Sequence, residues 1–330
     1  MIRFIDMHCD TIYEINRLQR LNEDIGLRNN HLNISLKKMQ QGDYLIQNFA
    51  MFTHLEKNSD PIKHVQHMID TFYLEMEKNS DLIRIAYDYD DIVKNQEVGL
   101  MSALLTLEEG AVVCQDLAYL RNYYRLGVRM ITLNWNFPNG IGYPNFSLDD
   151  SHHGYHTCDN VHGLTDFGIE YVKECERLGI IIDVSHLSDA GFYDVLENTS
   201  KPFVASHSNA RSVCPHARNM SDDMILKLAS RKGVMGINFA GGFLGESEEE
   251  NALSRISAMV KHILYIKDLA GIDCIGLGSD FDGISQNLEL KDASYMPLLY
   301  HALQAAGLNE EEIEKIFYKN VLRVYQEVLQ

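Results

Sequence analysis

Residues 4–10 read FIDMHCD, an apolar run that ends in two polar side chains, His8 and Asp10. Four later stretches repeat this arrangement: LLTLEEG at 104–110 with Glu108, IIIDVSH at 180–186 with His186, FVASH at 203–207 with His207, and IGLGSDFDG at 275–283 with Asp280. A (β/α)8 barrel builds its site from polar residues at the carboxyl ends of several strands. Histidine and carboxylate side chains are the ligands that zinc and related divalent ions prefer in hydrolytic sites. The pattern predicts a metal site inside such a barrel.

The whole chain follows the same alternation of apolar runs and longer stretches of helical character. The eight runs are Phe4–Asp10, Tyr44–Thr53, Val98–Glu108, Val128–Trp135, Ile180–His186, Pro202–His207, Val234–Ala240 and Cys274–Phe281. The main helical segments are Pro61–Asn79, Leu117–Leu126, Asp166–Leu178, Ser188–Glu197, Asp222–Arg231, Ala252–Leu269, Ser294–Ala305 and Glu310–Val328. We therefore predict an α/β fold, a TIM-like (β/α)8 barrel of the metal-dependent hydrolase type, with residues 1–330 as a single domain.

Two stretches are longer than ordinary connections. Residues 11–40 should contain helix, since SLKKMQQG at 35–42 ends on a glycine where a helix would stop. Residues 136–163 are polar and glycine-bearing, and long loops on the catalytic face of a barrel often form lids or substrate pockets.

The composition of the chain predicts which classes of partner it lacks and in which cellular compartment it lies. The net charge of −18 over 330 residues argues against nucleic acid and anionic membranes, because both attract basic patches. The six cysteines include no CxxC pair, so reduced thiols are expected. We recognise no leader peptide and no apolar stretch near the ~18 residues of a membrane span. These features predict a cytoplasmic protein.

The alternation of side chains along each strand predicts which candidate ligands point into the barrel. Side chains alternate across a strand, so His8 and Asp10 should point to one face and Cys9 to the other. In the run that ends at Glu108, the odd-numbered positions 101–107 are apolar and suit the helix-covered exterior, which places Glu108 inside the barrel and Glu109 outside or on the loop. The same alternation predicts that the Asp280 side chain points into the barrel.

Each candidate also has an ordinary structural explanation. A single HxD pair, or one histidine at a strand end, is more often structural than metal-binding, and DFDG at 280–283 is a common turn sequence. The loop histidines resemble a metal tract but suit surface or pocket positions equally well; they are His152, His153, His156 and His162. The metal site is favoured because all the other candidates fall at strand ends of one architecture.

Beyond these patterns, the chain resembles the zinc dipeptidases of the renal (membrane) dipeptidase type, the M19 peptidases, over nearly its whole length. The matching stretches are DMHCDT at 6–11, LEEG at 107–110, GLTDFGIEYVKECERLGIIIDVSHLS at 163–188, SHSNARSVCPHARN at 206–219, GIDCIGLGSDFDGI at 271–284 and NVLRVYQEV at 320–328. The resemblance implies hydrolysis of the peptide bond of small dipeptides, including L-D dipeptides, by a hydroxide held between two zinc ions. Cobalt or manganese could replace the zinc.

The resemblance also implies roles for single residues. Glu108 would bridge both ions, with His8 and Asp10 completing one ion. His186 and His207 would complete the other. Asp280, catalytic together with Glu108, would be the acid/base that holds the bridging water, in line with the general chemistry of two-metal sites and neighbouring carboxylates. Arg218 would bind the substrate's carboxylate, since its planar fork pairs with both oxygens.

Two positions depart from the family. Trp135 stands where mammalian members place a histidine thought to contact the tetrahedral intermediate, and Ala240 stands where a tyrosine is expected. Tryptophan has one N–H donor and no acid/base function. We expect Trp135, Asn136 and Asp280 to bind substrate together with Arg218, while the candidates for stabilising the oxyanion are Asn134, Asn136 and a loop histidine such as His152 or His156.

These departures leave two alternatives open. The first is a binuclear hydrolase of a lactam, an N-acyl amino acid or another small amide. The second is a catalytically silent metal-binding protein, which the retained Asp280 disfavours because a structural ion needs no proton shuttle. The expected partner is a small-molecule dipeptide, with no membrane and no nucleic acid. The family suggests a homodimer, although the sequence itself carries no recognisable interface signature.

Overall fold

Parallel strands form the centre of the computed structural model, which describes residues 3–146, 155–245 and 251–329. The strands within these ranges are β1 (Phe4–Asp6), β2 (Tyr44–Phe52), β3 (Ile83–Ile85), β4 (Met101–Glu108), β5 (Val128–Thr132), β6 (Ile181–Asp183), β7 (Val204–Ala205), β8 (Val234–Ile237) and β9 (Ile275–Leu277). They pair in the order β1-β2-β4-β5-β6-β7-β8-β9, and β3 lies beside β4 off this path. Single backbone bonds join the last strand to the first: the Met7 N–H donates to Leu277 O (3.0 Å) and the Asp280 N–H to His8 O (3.1 Å). The result is the nearly closed (β/α)8 barrel that the sequence predicts.

Helices surround this barrel. The α-helices in the described ranges are α1 (Thr11–Arg20), α2 (Leu36–Gln41), α3 (Pro61–Lys78), α4 (Tyr89–Glu97), α5 (Leu117–Arg125), α6 (Asp166–Leu178), α7 (Asp189–Asn198), α8 (Asp222–Ser230), α9 (Gly241–Leu244), α10 (Ile256–Ala270), α11 (Met296–Ala305), α12 (Glu310–Glu314) and α13 (Asn320–Val328). Local chemistry sets their ends. The Asp60 carboxylate accepts from the Lys63 N–H at the start of α3, and Gly179 takes a φ of 79° just past α6.

The apolar side chains form an outer and an inner cluster. On β4, Ala103, Leu105 and Leu107 belong to the outer cluster under the helices, whereas Leu104 belongs to the inner cluster within the barrel. Helix α13 packs against the inner cluster through its apolar face, and the buried Tyr325 hydroxyl donates to Asn48 Oδ1 (2.9 Å). Apolar side chains thus fill the interior next to α13, and the polar side chains lie at the carboxyl ends of the strands.

The structure confirms a strand in each of the eight apolar runs, and α2 ends at Gly42 as the sequence predicts. It adds three elements that the sequence did not predict: β3, α4 and α9. All three leave a weak pattern, since β3 has three residues, α9 has four, and in α4 only Ile92 and Asn95 are buried. The predicted C-terminal helix is present, but a π-helical turn at Lys315–Lys319 separates α12 from α13.

Candidate metal centre

The predicted ligands meet at the carboxyl ends of the barrel strands. His8 and Asp10 follow β1, Glu108 ends β4, and the remaining members follow β6, β7 and β9; these are His186, His207 and Asp280. His186 and Asp280 have positive φ values of 71° and 61°, in a region that non-glycine residues seldom occupy. Such strain persists where the surrounding structure holds a residue firmly, as it does at functional sites.

The first group of ligand atoms contains His8, Asp10 and Glu108. His8 Nε2 lies 3.2 Å from Glu108 Oε2 and 3.7 Å from Asp10 Oδ2. All three side chains are buried. Both ring nitrogens of His8 and the Oδ1 atom of Asp10 lack a hydrogen-bond partner among the described residues. Buried polar atoms without protein partners are rare in native proteins and are typical of positions that contact an ion or water.

The second group uses the other oxygen of the same glutamate. His186 Nε2 lies 3.2 Å from Glu108 Oε1, His207 Nε2 lies 3.6 Å from that oxygen, and the two Nε2 atoms are 3.0 Å apart. The Asn136 Oδ1 atom lies 2.8 Å from His186 Nδ1 and can only accept. His186 therefore carries its proton on Nδ1 and keeps the Nε2 lone pair for a metal.

These separations suit metal ions. Two nitrogen or oxygen ligands of tetrahedral zinc, each at 2.0–2.1 Å from the ion, are roughly 3.4 Å apart. Two groups of candidate ligands, His8–Asp10–Glu108 and Glu108–His186–His207, have atoms within 4.8 Å of one another and share Glu108; a third group of the same kind is His8–Asp183–His207. Nitrogen and carboxylate donors without an inward-facing thiolate favour zinc and its neighbours. The residues present thus fit the metal that the sequence predicts.

The electrostatics of the second group also suit metal binding. Burial, with Arg218 as the next cause, lowers the pKa of His186 to about 4, and burial likewise lowers the pKa of His207. Both imidazoles are therefore neutral near pH 7, which is the form that binds metals. Burial would raise the pKa of Glu108, but His8 and His186 outweigh it and lower that pKa.

Asp280 lies beside the first group, with its Oδ1 atom 4.0 Å from His8 Nε2. Its Oδ2 atom accepts a hydrogen bond from Asn238 Nδ2 (2.8 Å), which leaves Oδ1 for the site. Burial and the charge of Glu108 raise the pKa of Asp280 to about 6, although His8, Asn238 and Arg218 oppose the rise. Sequence reasoning missed Asn238, although it is a polar residue directly after β8.

A cavity of about 780 Å³ opens above the ligands, and Arg218 lies in its wall. The Arg218 side chain is buried at 4% exposure, and its Nη2 donates to His207 O (3.2 Å). Its Nε has no hydrogen-bond partner among the described residues. Burial lowers the pKa of Arg218 to about 10, so the guanidinium stays charged at neutral pH. A buried cation of this kind suits an anionic ligand.

Aromatic side chains line two sides of this cavity. On one side Trp135 packs on Phe52, with ring centroids 5.0 Å apart. On the other side Tyr155 and His216 stack at 5.2 Å, and the Phe243 ring lies under the Arg218 guanidinium at 5.4 Å. The part of the 136–163 loop that the structure describes thus contributes to the pocket, as the sequence predicts.

The remaining candidates are placed differently. Asn134 is fully buried with its Nδ2 donating to Trp135 O (2.7 Å), and it is not among the residues that line the cavity. The His156 ring contacts Pro215 O, and His152 lies outside the described residues. Glu109 is on the loop, as expected, but fully buried: its carboxylate accepts from the Trp135 N–H (3.1 Å) and so fixes the loop that carries Trp135.

A family model described as "Membrane dipeptidase (Peptidase family M19)" matches residues 1–330. The chain belongs to this family. It is 30% identical to human Dipeptidase 3 over 328 residues, which is 98% of this chain and 64% of that protein. It is also 30% identical to Dipeptidase tcpJ of Claviceps purpurea over 305 residues, 89% of this chain and 69% of that protein.

Solved M19 structures share the fold over the whole chain. A dipeptidase described as an M19 metallopeptidase superposes with a TM-score of 0.90 at 26% identity, covering 99% of both chains. A Rhodobacter sphaeroides metallopeptidase, liganded with a phosphinate mimic of the dipeptide L-Ala-D-Ala, superposes with a TM-score of 0.88 at 26% identity and 99% coverage of both. This M19 protein is accordingly a metal-dependent hydrolase, a dipeptidase. Among its described residues, no helix combines the length and apolarity needed to cross a membrane.

Proposed function

We propose that this M19 dipeptidase cleaves dipeptides with two zinc ions bound side by side. The observation that carries the proposal is the position of Glu108, whose two carboxylate oxygens face two separate groups of ligand atoms. His8 and Asp10 would complete one ion, and His186 and His207 the other. Bound zinc would supply Lewis acidity and lower the pKa of a water molecule.

Asp280 would serve as the proton acceptor and donor. Asn238 holds its Oδ2, so Oδ1 faces the ligand cluster and can take a proton from water and return it to the leaving amine. Glu108 would act with it by fixing the positions of both ions. The same carboxylate at a purely structural metal site would have no proton to move.

Arg218 would anchor the carboxylate of the substrate's C-terminal residue. It is buried, charged and unpartnered at Nε among the described residues, and it lies in the cavity wall. The side chain next to that carboxylate would then rest on Phe243, His216 and Tyr155, so aromatic C-terminal residues should be accepted.

The oxyanion would be stabilised by Asn136 and Trp135. The Oδ1 atom of Asn136 is committed to His186, and its Nδ2 donates to no other described residue. The Trp135 side chain lines the same cavity and brings one N–H donor. Neither replaces an imidazole in kind, which separates this pocket from that of the mammalian enzymes.

L-D dipeptides belong to the proposed substrate range. The phosphinate mimic of L-Ala-D-Ala on the Rhodobacter sphaeroides metallopeptidase supports this, since that protein has the same fold at 99% coverage. The altered positions Trp135 and Ala240 both lie in the cavity wall. They support a second candidate function, hydrolysis of a small amide or lactam at the same centre. A homodimer and a cytoplasmic location stay predictions.

One experiment tests the function. Purified protein is analysed for metal by mass spectrometry and assayed on matched L-L and L-D dipeptides, N-acyl amino acids and a lactam. About two zinc ions per chain and preferential dipeptide cleavage are expected. Preferential cleavage of the acyl or lactam compounds would favour the second candidate, and a chain that binds no divalent ion would contradict both.

A further inference from the structure

A buried carboxylate lies behind His207, outside the set of proposed ligands. Asp183 ends β6, is fully buried, and accepts hydrogen bonds from the Ser185 N–H (3.0 Å), the Ser206 N–H (2.8 Å) and the Thr132 hydroxyl (2.6 Å). The Ser206 hydroxyl adds a fourth at 2.5 Å. Four donors thus surround one carboxylate, two on each of its oxygens.

The direction of these bonds decides where His207 carries its proton. Because Asp183 only accepts, the hydroxyl hydrogen of Ser206 points to it. The Ser206 oxygen, 2.7 Å from His207 Nδ1, must then accept from that nitrogen. His207 is left with Nδ1 protonated and with the Nε2 lone pair directed at the site, 3.6 Å from Glu108 Oε1.

The barrel contains a second serine–aspartate pair of the same construction. Asp6 at the end of β1 accepts from the Ser279 N–H (2.8 Å) and hydroxyl (2.6 Å), and from the N–H two residues on, that of His8 (3.3 Å). Ser279 precedes Asp280 as Ser206 precedes His207. Both pairs join neighbouring strands, but the Ser279 hydroxyl contacts no imidazole among the described residues.

We propose that Asp183 and Ser206 are positioning residues that hold His207 in its metal-binding tautomer. The carboxylate orients the serine hydroxyl, the hydroxyl oxygen accepts a hydrogen bond from the Nδ1–H of His207, and the ring is fixed with Nε2 toward the metal. A carboxylate or carbonyl in direct contact with a ligand histidine is the usual arrangement; here a serine is inserted between them. The inference rests on the proposed function, because it requires His207 to be a ligand.

A comparison of Ser206 with Ser279 distinguishes the two roles that a serine–aspartate bond can have here: orienting His207 and joining neighbouring strands. Ser206→Ala and Ser279→Ala each remove one buried serine–aspartate bond, so both should lower the melting temperature by similar amounts. Zinc affinity is then measured by competition with a chromophoric chelator. We expect Ser206→Ala to bind one of two ions about 10-fold or more weakly, and Ser279→Ala to bind both as the wild type does. Equal affinities in the two variants would overturn the inference.

A measurement on the unsubstituted protein covers the case in which Ser206→Ala fails to fold. Nuclear magnetic resonance of ¹⁵N-histidine-labelled protein, assigned with a His207→Gln variant, reports the tautomer of His207 directly. A proton on Nδ1, protected from solvent exchange, supports the inference, and a proton on Nε2 overturns it. If the wild type binds no zinc, the proposed metal centre is wrong and the inference falls with it, whereas zinc binding together with a proton on Nε2 overturns the inference alone.

Discussion

At the scale of single residues, the two oxygens of Asp280 face different surroundings. Oδ2 is held by Asn238, whereas Oδ1 lies 4.0 Å from His8 Nε2 at the edge of the ligand cluster. Asp280 is thus close enough to share a water molecule with the metal centre without being one of the grouped ligands of the described residues. Its proposed role is therefore separable from metal binding by substitution.

Replacing Asp280 with asparagine should stop turnover without emptying the site. The amide keeps the shape but cannot accept the proton, so kcat should fall by ~10²-fold or more while the zinc content stays at the wild-type level. Steady-state kinetics and metal analysis on the same preparation check this. Near-normal kcat would show that another group moves the proton.

Replacing Arg218 should weaken the requirement of the enzyme for a free carboxylate on its substrate. Loss of a buried charged partner costs ~2–5 kcal/mol, so Arg218→Ala should lose most activity on dipeptides with a free carboxylate. It should also discriminate little against the C-terminal amides, whereas the wild type should cleave those amides poorly. Arg218→Lys should rescue only in part, because lysine keeps the charge and loses the fork.

The measurement is kcat/KM for each acid and its amide with all three proteins. Equal cleavage of the two forms by the wild type would mean that Arg218 does not anchor the carboxylate, and would strengthen the amide or lactam candidate.

At the scale of elements, His262 on α10 connects parts of the chain that form one side of the pocket. It is fully buried, its Nδ1 accepts from the Ala210 N–H (3.1 Å), and its Nε2 contacts Leu244 O (3.2 Å) at the end of α9. Burial lowers its pKa to about 4 in the folded protein. The adjoining α9 carries Phe243 of the aromatic side of the cavity.

This histidine should make stability depend on pH. The unfolded chain binds its proton near pH 6.5 and the folded protein only near pH 4, so the stabilisation by neutral His262 is full above pH 6.5 and lost as pH falls toward 4. The free energy of unfolding in urea should be higher for wild type than for His262→Asn at pH 7. That gap should narrow by roughly 3 kcal/mol by pH 4; a gap independent of pH would contradict the prediction.

The elements and the ligands differ in how far the sequence could predict them. Long apolar runs and strand parity predicted the barrel and the inward position of Glu108, because burial on both faces of a parallel strand leaves a strong pattern. The short β3 and the polar α4 leave no such pattern. Asn238 and the buried Glu109 act through hydrogen bonds to other side chains or loops, and such contacts depend on three-dimensional packing.

At the scale of the whole molecule, the proposed metal centre would join the ends of four strands, β1, β4, β6 and β7. Removing metal with a chelator should therefore do two things: abolish activity and lower the melting temperature by several degrees, because an ion that binds only the folded state stabilises it. Added zinc or cobalt should restore both. Calorimetry with and without chelator checks this, and an unchanged melting temperature would show that the ions contribute nothing to the fold. That the chain is one domain stays a prediction.

The join between β9 and β1 has a consequence for how the protein is made. Asp280 emerges from the ribosome about 270 residues after His8 and Asp10, and the Met7 and Asp280 backbone bonds form only when these two segments meet. Contacts between residues so distant in sequence form slowly, and incomplete barrels expose apolar edges. A nascent chain halted before residue 275 thus holds every proposed metal ligand yet lacks both the closing strand and the proposed proton shuttle, so we expect competence for catalysis only once β9 is in place.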